Sequence, residues 1–327
     1  MISSFAINNT YASRKIRMGI LLNKFEDVLA HHERETHKEI MNRLKIESEG
    51  NTYYERLTYI DMMIADAVYS LYKTEQTSFS EGMILRALSG DDNQTCRSEV
   101  RDRITGSLKK MGDLKLIFNC REELENRNIE GFEDINETFL PLTILKSGKY
   151  QNINPPLYEY AELVNQIITI PMGLWNLGNE RPVNNSLENI AIKHYLIHRI
   201  EVANYKRKGK RKLDNLNKIF YYHPAHKKLE EDEHPFVGML FDLNIVSEWE
   251  KRTGIKLNEL GDVDEIRSYL SKLKNPTHKN TVMILNTLKE IGYIKDYELI
   301  KGIGKEIIGV EIKGPIKRKD EFRQKKQ

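Results

Sequence analysis

Histidines, tyrosines and clustered basic residues are the side chains here whose spacing carries chemical meaning. His194 and His198 lie one helical turn apart, a spacing that can chelate a metal. The intervening Tyr195-Leu196-Ile197 lacks the glutamate that follows the first histidine of zinc proteases, so packing is the simpler role. His223 and His226 lie beside Tyr221 and Tyr222, equipment that suits a tyrosine-dependent DNA nicking enzyme. Two residues, Pro224 and Ala225, separate these histidines on an expected loop, and both spacing and context then depart from such a site. No Gly-x-x-x-x-Gly-Lys phosphate loop occurs, and Gly302-Ile303-Gly304 is too short to be a nucleotide fingerprint. Cys96 and Cys120 have neither metal-pair nor disulfide-framework spacing, which points to a reducing compartment. The expectation is a non-enzyme with no catalytic residue, metal or cofactor.

The basic residues say more. The formal charge of +3 over 327 residues is too small to argue for nucleic acid, but its distribution is uneven. Lys206, Arg207, Lys208, Lys210 and Arg211 fall in one short run, Lys-Arg-Lys-Gly-Lys-Arg-Lys. After Gly314 the chain carries Lys317, Arg318, Lys319, Arg323, Lys325 and Lys326. Clustered Lys and Arg form the electrostatic footprint of a polyanion partner. An acidic knot, Glu230-Glu231-Asp232-Glu233, interrupts the pattern.

These residues need elements to position them. Ile60, Ile64, Ala67, Val68 and Leu71 recur at helical period, and a second helix starts at a Ser80 cap and stops at Gly90. Val100, Ile104, Leu108 and Met111 form the stripe of a third helix that Gly112 ends. Leu114 to Phe118 and Thr138 to Leu145 read as paired strands around a long acidic tip. Tyr150 to Pro156 reads as a linker. Beyond it, helices are expected near 157–170 and 186–206, then at Leu243–Trp249, Val263–Leu273 and Pro276–Gly292. The last is followed by a hairpin with strands Tyr293–Ile300 and Glu306–Lys313 around Lys301-Gly302-Ile303-Gly304-Lys305.

Helix, helix, helix, hairpin thus occurs twice. It is the order of a winged helix, in which the third helix enters the major groove and the wing lies on the backbone. The sequence predicts a mainly α fold with small β-hairpins (α+β) and two tandem winged-helix domains. The boundaries are an N-terminal arm at 1–52, domain 1 at 53–149, domain 2 at 150–313 and a basic tail at 314–327. On the first recognition helix Ser98, Asp102, Thr105 and Lys109 face outward, with Arg97 and Arg101 flanking its start. Arginine reads guanine bidentately, aspartate accepts from cytosine, and lysine and threonine hold phosphate. On the second, Lys279, Met283, Asn286 and Glu290 face outward, with His278 and Lys289 at the edges and Asn286 suited to adenine. Lys301 and Lys305 bracket a glycine-rich tip that lets the backbone approach a phosphate.

The stretch Leu57 to Tyr72, followed by Phe79 to Gly90, resembles the first winged helix of replication-initiator proteins from plasmids and conjugative elements of low-GC Gram-positive bacteria. The helix through Ala191 to Ile200 and the final helix with its wing resemble the second. The resemblance implies a sequence-specific double-stranded DNA-binding protein. Such a protein binds origin repeats, opens an adjacent AT-rich region and recruits a host helicase or helicase loader, with homodimers in some members. The long first wing and the acidic knot depart from the family pattern. The alternatives are a winged-helix transcriptional regulator, a nicking enzyme using Tyr221 or Tyr222, and a protein-interaction scaffold. No apolar run is long enough to span a bilayer, and the N-terminus lacks signal-peptide order. The expected location is cytoplasmic, associated with nucleoid or plasmid, with no membrane partner.

Overall fold

Ser4–Asn8 (β1) is a buried strand rather than a loose arm, with Phe5 and Ile7 wholly enclosed. The computed structural model describes residues 2–18, 44–48, 57–177, 185–207, 217–222, 238–260, 263–302 and 305–313. The protein mixes helix and strand, an α+β composition, in two units, Met1–Asn176 and Leu177–Arg323.

Unit 1 continues with α1 (Tyr11–Met18), β2 (Leu44–Ser48), α2 (Tyr59–Tyr72), β3 (Ser78–Phe79), α3 (Glu81–Ser89) and α4 (Ser98–Asp113). Then follow β4 (Leu114–Phe118), α5 (Arg121–Glu125), β5 (Ile135–Thr138), β6 (Tyr150–Gln151), α6 (Pro156–Leu163), β7 (Ile167–Pro171) and α7 (Met172–Trp175). β1 pairs antiparallel with β7, β2-β4-β5 form a second sheet, and β3 pairs with β6. The core helix is α2, started by a capping box between Thr58 and Asp61. Its Asp66 is fully buried and accepts both ways from Arg17 Nη2 at 2.8 Å, from the Asn8 amide at 3.0 Å and from the Tyr158 hydroxyl at 2.7 Å. Burial works to lower the Arg17 pKa, but the Asp66 charge and hydrogen bond together with the nearby Tyr158 and Tyr59 prevail and hold the guanidinium above its ordinary value. This pair ties the N-terminal segment to the core.

Four expectations for this unit are corrected. The arm 1–52 supplies two strands, β1 and β2, to unit 1 sheets. The linker at Tyr150–Pro156 lies inside the unit, which runs to Asn176 instead of ending at 149. Its asparagine is structural, since the Asn152 side chain donates to Gln76 O at 2.9 Å, and Pro156 opens α6, where a missing amide costs nothing. The helix near 157–170 is α6 followed by β7. Asn165 takes a left-handed φ of 54° that ends helical propagation, and Ile167-Ile168-Thr169-Ile170 are β-branched strand formers. Finally, the partner of β4 is Ile135–Thr138, and residues 139–145 leave that sheet. Smaller departures concern caps. Ser80 makes no side-chain cap bond, and α4 runs through Gly112 to Asp113.

Unit 2 contains α8 (Leu187–Arg207), β8 (Lys218–Phe220), α9 (Met239–Asp242), α10 (Ile245–Thr253), α11 (Val263–Glu290), β9 (Asp296–Lys301) and β10 (Ile307–Lys313). The sheet order is β8-β10-β9, all antiparallel, with the last strand in the centre. Gly309 on that strand permits close approach, for a Cβ there would stand 2.4 Å from the Ile219 carbonyl oxygen. The expected helix at Leu243–Trp249 is divided around Asn244, whose φ is 58°. The two helices expected at Val263–Leu273 and Pro276–Gly292 are one helix, α11. Pro276 is exposed on it, so water can serve the carbonyl that loses its donor. The strand expected at Tyr293–Ile300 begins at Asp296, because Tyr293 is turned into the core with its amide on Leu288 O.

Candidate nucleic-acid interface

In unit 1 the interface is built from α4 and the hairpin that ends in β6. α4 buries Ile104, Ser107, Leu108 and Met111 and packs on α2 and α3. The opposite side is thereby set. Arg97, Ser98, Arg101, Asp102, Thr105 and Lys109 are all exposed. Thr105 is drawn sideways, its hydroxyl 3.4 Å from Glu81 Oε1, which also accepts from the Tyr150 hydroxyl at 3.2 Å. Glu81 therefore links α4 to β6. The Tyr150 ring stacks on Phe79 of β3 at 5.4 Å.

Thr143 to Gln151 forms the tight hairpin of this unit. The Gln151 amide donates to Thr143 O at 2.8 Å, and the Leu145 amide to Lys149 O at 2.8 Å. The Gly148 amide closes on Leu145 O at 2.9 Å with a left-handed φ of 77°. Ile144 bridges Tyr150 on one side of β6 while β3 pairs on the other, so the C-terminal strand is again central. The tip Lys146-Ser147-Gly148-Lys149 is exposed. Sequence reasoning placed the wing at Leu114–Leu145 and passed over Lys146 and Lys149. The Lys-Ser-Gly-Lys turn was the available signal. The acidic excursion between β4 and β5 (Glu122, Glu125, Glu133, Asp134) belongs to the β2-β4-β5 sheet instead.

In unit 2, α11 buries Ile284, Leu285 and Leu288 and exposes Lys279, Asn286 and Lys289. Two of these are engaged with β9. Asn286 Oδ1 accepts from the Tyr297 hydroxyl at 2.8 Å, and Lys289 pairs with Asp296 at 2.8 Å. His278 is half-buried with Nδ1 2.8 Å from the Tyr221 hydroxyl, and burial together with the Lys274 charge lowers its pKa. Lys279, Lys301 and Lys305 remain exposed. Between β9 and β10 the Gly302 amide donates to Glu306 O at 2.7 Å, with Lys305 in the left-handed region at φ 67°.

Glu306 anchors that turn. It accepts from Tyr222 at 2.7 Å and Ser271 at 3.1 Å, and it pairs with Lys274. Burial pushes its carboxyl pKa up, but the hydrogen bonds and the Lys274 charge prevail and hold it below the ordinary value. None of these anchoring residues was singled out from sequence for that role, because their meeting depends on the return of β10 beside β8.

The enzymatic candidates are placed differently. Tyr221 is fully buried and Tyr222 nearly so, with both hydroxyls engaged, which removes them as exposed nucleophiles. His194 and His198 are buried in α8 with ring centroids 6.2 Å apart. Among the described residues no group of three or more potential metal ligands occurs. The side chains of Lys206 and Arg207 lie outside the described residues, although their backbones end α8. Lys208, Lys210, Arg211, His223, His226, the acidic knot and the basic tail also lie outside them. No helix among the described residues is long and apolar enough to cross a membrane.

Compared with protein-family models, curated proteins and solved structures, the chain matches none.

Proposed function

We propose that this chain is a sequence-specific double-stranded DNA-binding protein built from two winged helices, acting as the replication initiator of a plasmid or other mobile element. One observation carries the DNA-binding reading. Each unit carries a hairpin whose last strand is central in its sheet and whose turn is bracketed by exposed lysines, directly after α11 in unit 2 and beyond β4, α5 and β5 in unit 1. In unit 2 the tip lies between Lys301 and Lys305, and in unit 1 between Lys146 and Lys149. α4 of unit 1 and α11 of unit 2 would each enter a major groove while the lysines hold the backbone. Arg97, Arg101, Asp102 and Lys279 are the exposed residues best placed to meet base edges or phosphates.

The work is then binding energy spent on DNA, with no covalent step. Bending a site costs about 1–6 kcal/mol and must be offset by such contacts. The initiator role rests on the sequence resemblance of 57–90 and 191–200. The partners it implies are origin repeats and a host helicase or its loader.

The test is a selection from a random duplex library with the full chain. An enriched motif, above all a repeated one, that supports maintenance of a marker plasmid in a host supports the reading. An enriched motif that controls a promoter without supporting maintenance makes the chain a transcriptional regulator. No enrichment contradicts sequence-specific binding.

A further inference from the structure

Four large apolar side chains stand exposed among the described residues: Tyr72, Ile144, Ile255 and Leu299. Two of them occupy the same place in the two units. Ile144 lies on the outer strand of the unit 1 hairpin, opposite Tyr150, and Leu299 on the outer strand of the unit 2 hairpin, opposite Val310. Directly opposed residues of an antiparallel pair project to the same side of a sheet. Tyr150 and Val310 are 8 % and 0 % exposed, whereas Ile144 is 69 % and Leu299 39 % exposed. Each aliphatic therefore shares a face with core residues yet sits at an open edge. In unit 1 that face is the one from which Tyr150 reaches Glu81, the residue that also holds Thr105 of α4.

A singly exposed aliphatic is ordinary on a protein surface, but here the same place in both hairpins is occupied by one. Its neighbours specify the chemistry that would cover it. Lys146 and Lys149 follow Ile144 within one turn, and Lys301 follows Leu299 by two residues. A β-branched or branched apolar side chain flanked by lysines is what a minor-groove wedge requires. The lysines hold phosphates on the tip side while the aliphatic enters between base pairs and unstacks them. We infer that the two hairpins are minor-groove wedges, with Ile144 the stronger and Leu299 the weaker. Their preferred ligand is a duplex with easily unstacked pyrimidine–purine steps such as TA. This rests on the DNA-binding reading and adds to it a specific deformation and the side chains that cause it.

The probe is an alternating d(A-T) duplex carrying 2-aminopurine in place of one adenine, mixed with the full chain at low salt, where sequence-independent binding is strong. Anisotropy of a terminal dye reports binding, and 2-aminopurine emission reports unstacking. The expected result is an anisotropy rise with a severalfold rise in emission. Ile144→Ala keeps the first and loses most of the second, and Leu299→Ala loses less. Both sites are exposed, and circular dichroism of the variants should match the parent. An anisotropy rise without an emission rise overturns the wedge and leaves DNA binding intact. So does an emission rise that survives the Ile144→Ala/Leu299→Ala double substitution. Absence of any anisotropy change contradicts the DNA-binding reading itself, and the wedge falls with it.

Discussion

Units 1 and 2 each carry a lysine-tipped hairpin but hold it in different ways. In unit 1 the hairpin is short, hung on a two-residue strand and a tyrosine stack, while the stiffness lies deeper, in the buried Arg17–Asp66 pair. In unit 2 the sheet is fuller, and the tip is bolted to α11 by Glu306, Lys274, Tyr222 and Ser271. The contrast teaches that a lysine-tipped hairpin can be positioned by a stable platform beneath it or by direct anchoring at its base. Unit 2 uses the second route, and its wing-facing residues Asn286 and Lys289 are engaged in it. Unit 1 leaves Arg97, Arg101 and Asp102 exposed, so it is the better candidate for base reading.

The largest effect is expected in the unit 1 platform. Asp66→Ala strands the Arg17 charge in the core, and breaking a buried pair costs about 3–5 kcal/mol. The two tryptophans allow a local readout, since Trp175 is buried in unit 1 and Trp249 belongs to unit 2. With Trp249→Phe as background, the Trp175 denaturation midpoint should fall steeply. Next comes the unit 2 sheet. In Gly309→Ala the new methyl meets the Ile219 carbonyl, and overpacking of this kind costs about 1–3 kcal/mol, read by Trp249 in a Trp175→Phe background. Equal shifts of both reporters in either variant would remove the contrast between the units. Pro276→Ala has the opposite sign. It restores an amide to an exposed helix interior and should raise unit 2 stability by up to about 3 kcal/mol in the same denaturation experiment.

The smallest expected effect is the pH response of unit 2. His278 has a folded pKa below its unfolded value of 6.5, so its contribution is complete above that value and is lost as pH falls through the folded pKa. Glu306 is likewise lowered from 4.5, and its contribution is lost as pH falls below that value. The Trp249 midpoint should therefore decline in two stages on acidification. His278→Gln should shrink the upper stage and Glu306→Gln the lower, to which the lowered Asp296 and Glu311 also contribute, while buried Lys193, pushed down to about 7, titrates above both.

Much of this was legible in the sequence where periodicity was long. The stripe of Ile104, Leu108 and Met111 gave α4 and the outward set on its far side. The glycines near 302–304 with flanking apolar runs pointed to the pairing of β9 and β10. What was hidden depended on distant partners. β1 is five residues long and gains its place only by pairing with Ile167–Pro171, far along the chain. β7 was read as helix because the helical pattern of 157–163 ran into it without a proline, and a left-handed asparagine is a weak stop signal. Pro276 looked like a boundary, yet tertiary packing of Leu273, Thr277 and Thr281 carried the helix past it. The strand partner expected for Leu114–Phe118 differs because β4 pairs with β2 and β5, while the strand before Lys146 bridges β6.

The most direct test of the account is the salt dependence of duplex binding by the full chain, beside a Lys146→Ala/Lys149→Ala variant and a Lys301→Ala/Lys305→Ala variant. Each phosphate contact contributes about 0.9 to the slope of log affinity against log salt. The account predicts a steep parent slope that falls by roughly 2 in each variant, one contact per lysine removed. A flat parent slope, or a steep one that neither variant changes, would contradict the claim that these two hairpins hold DNA.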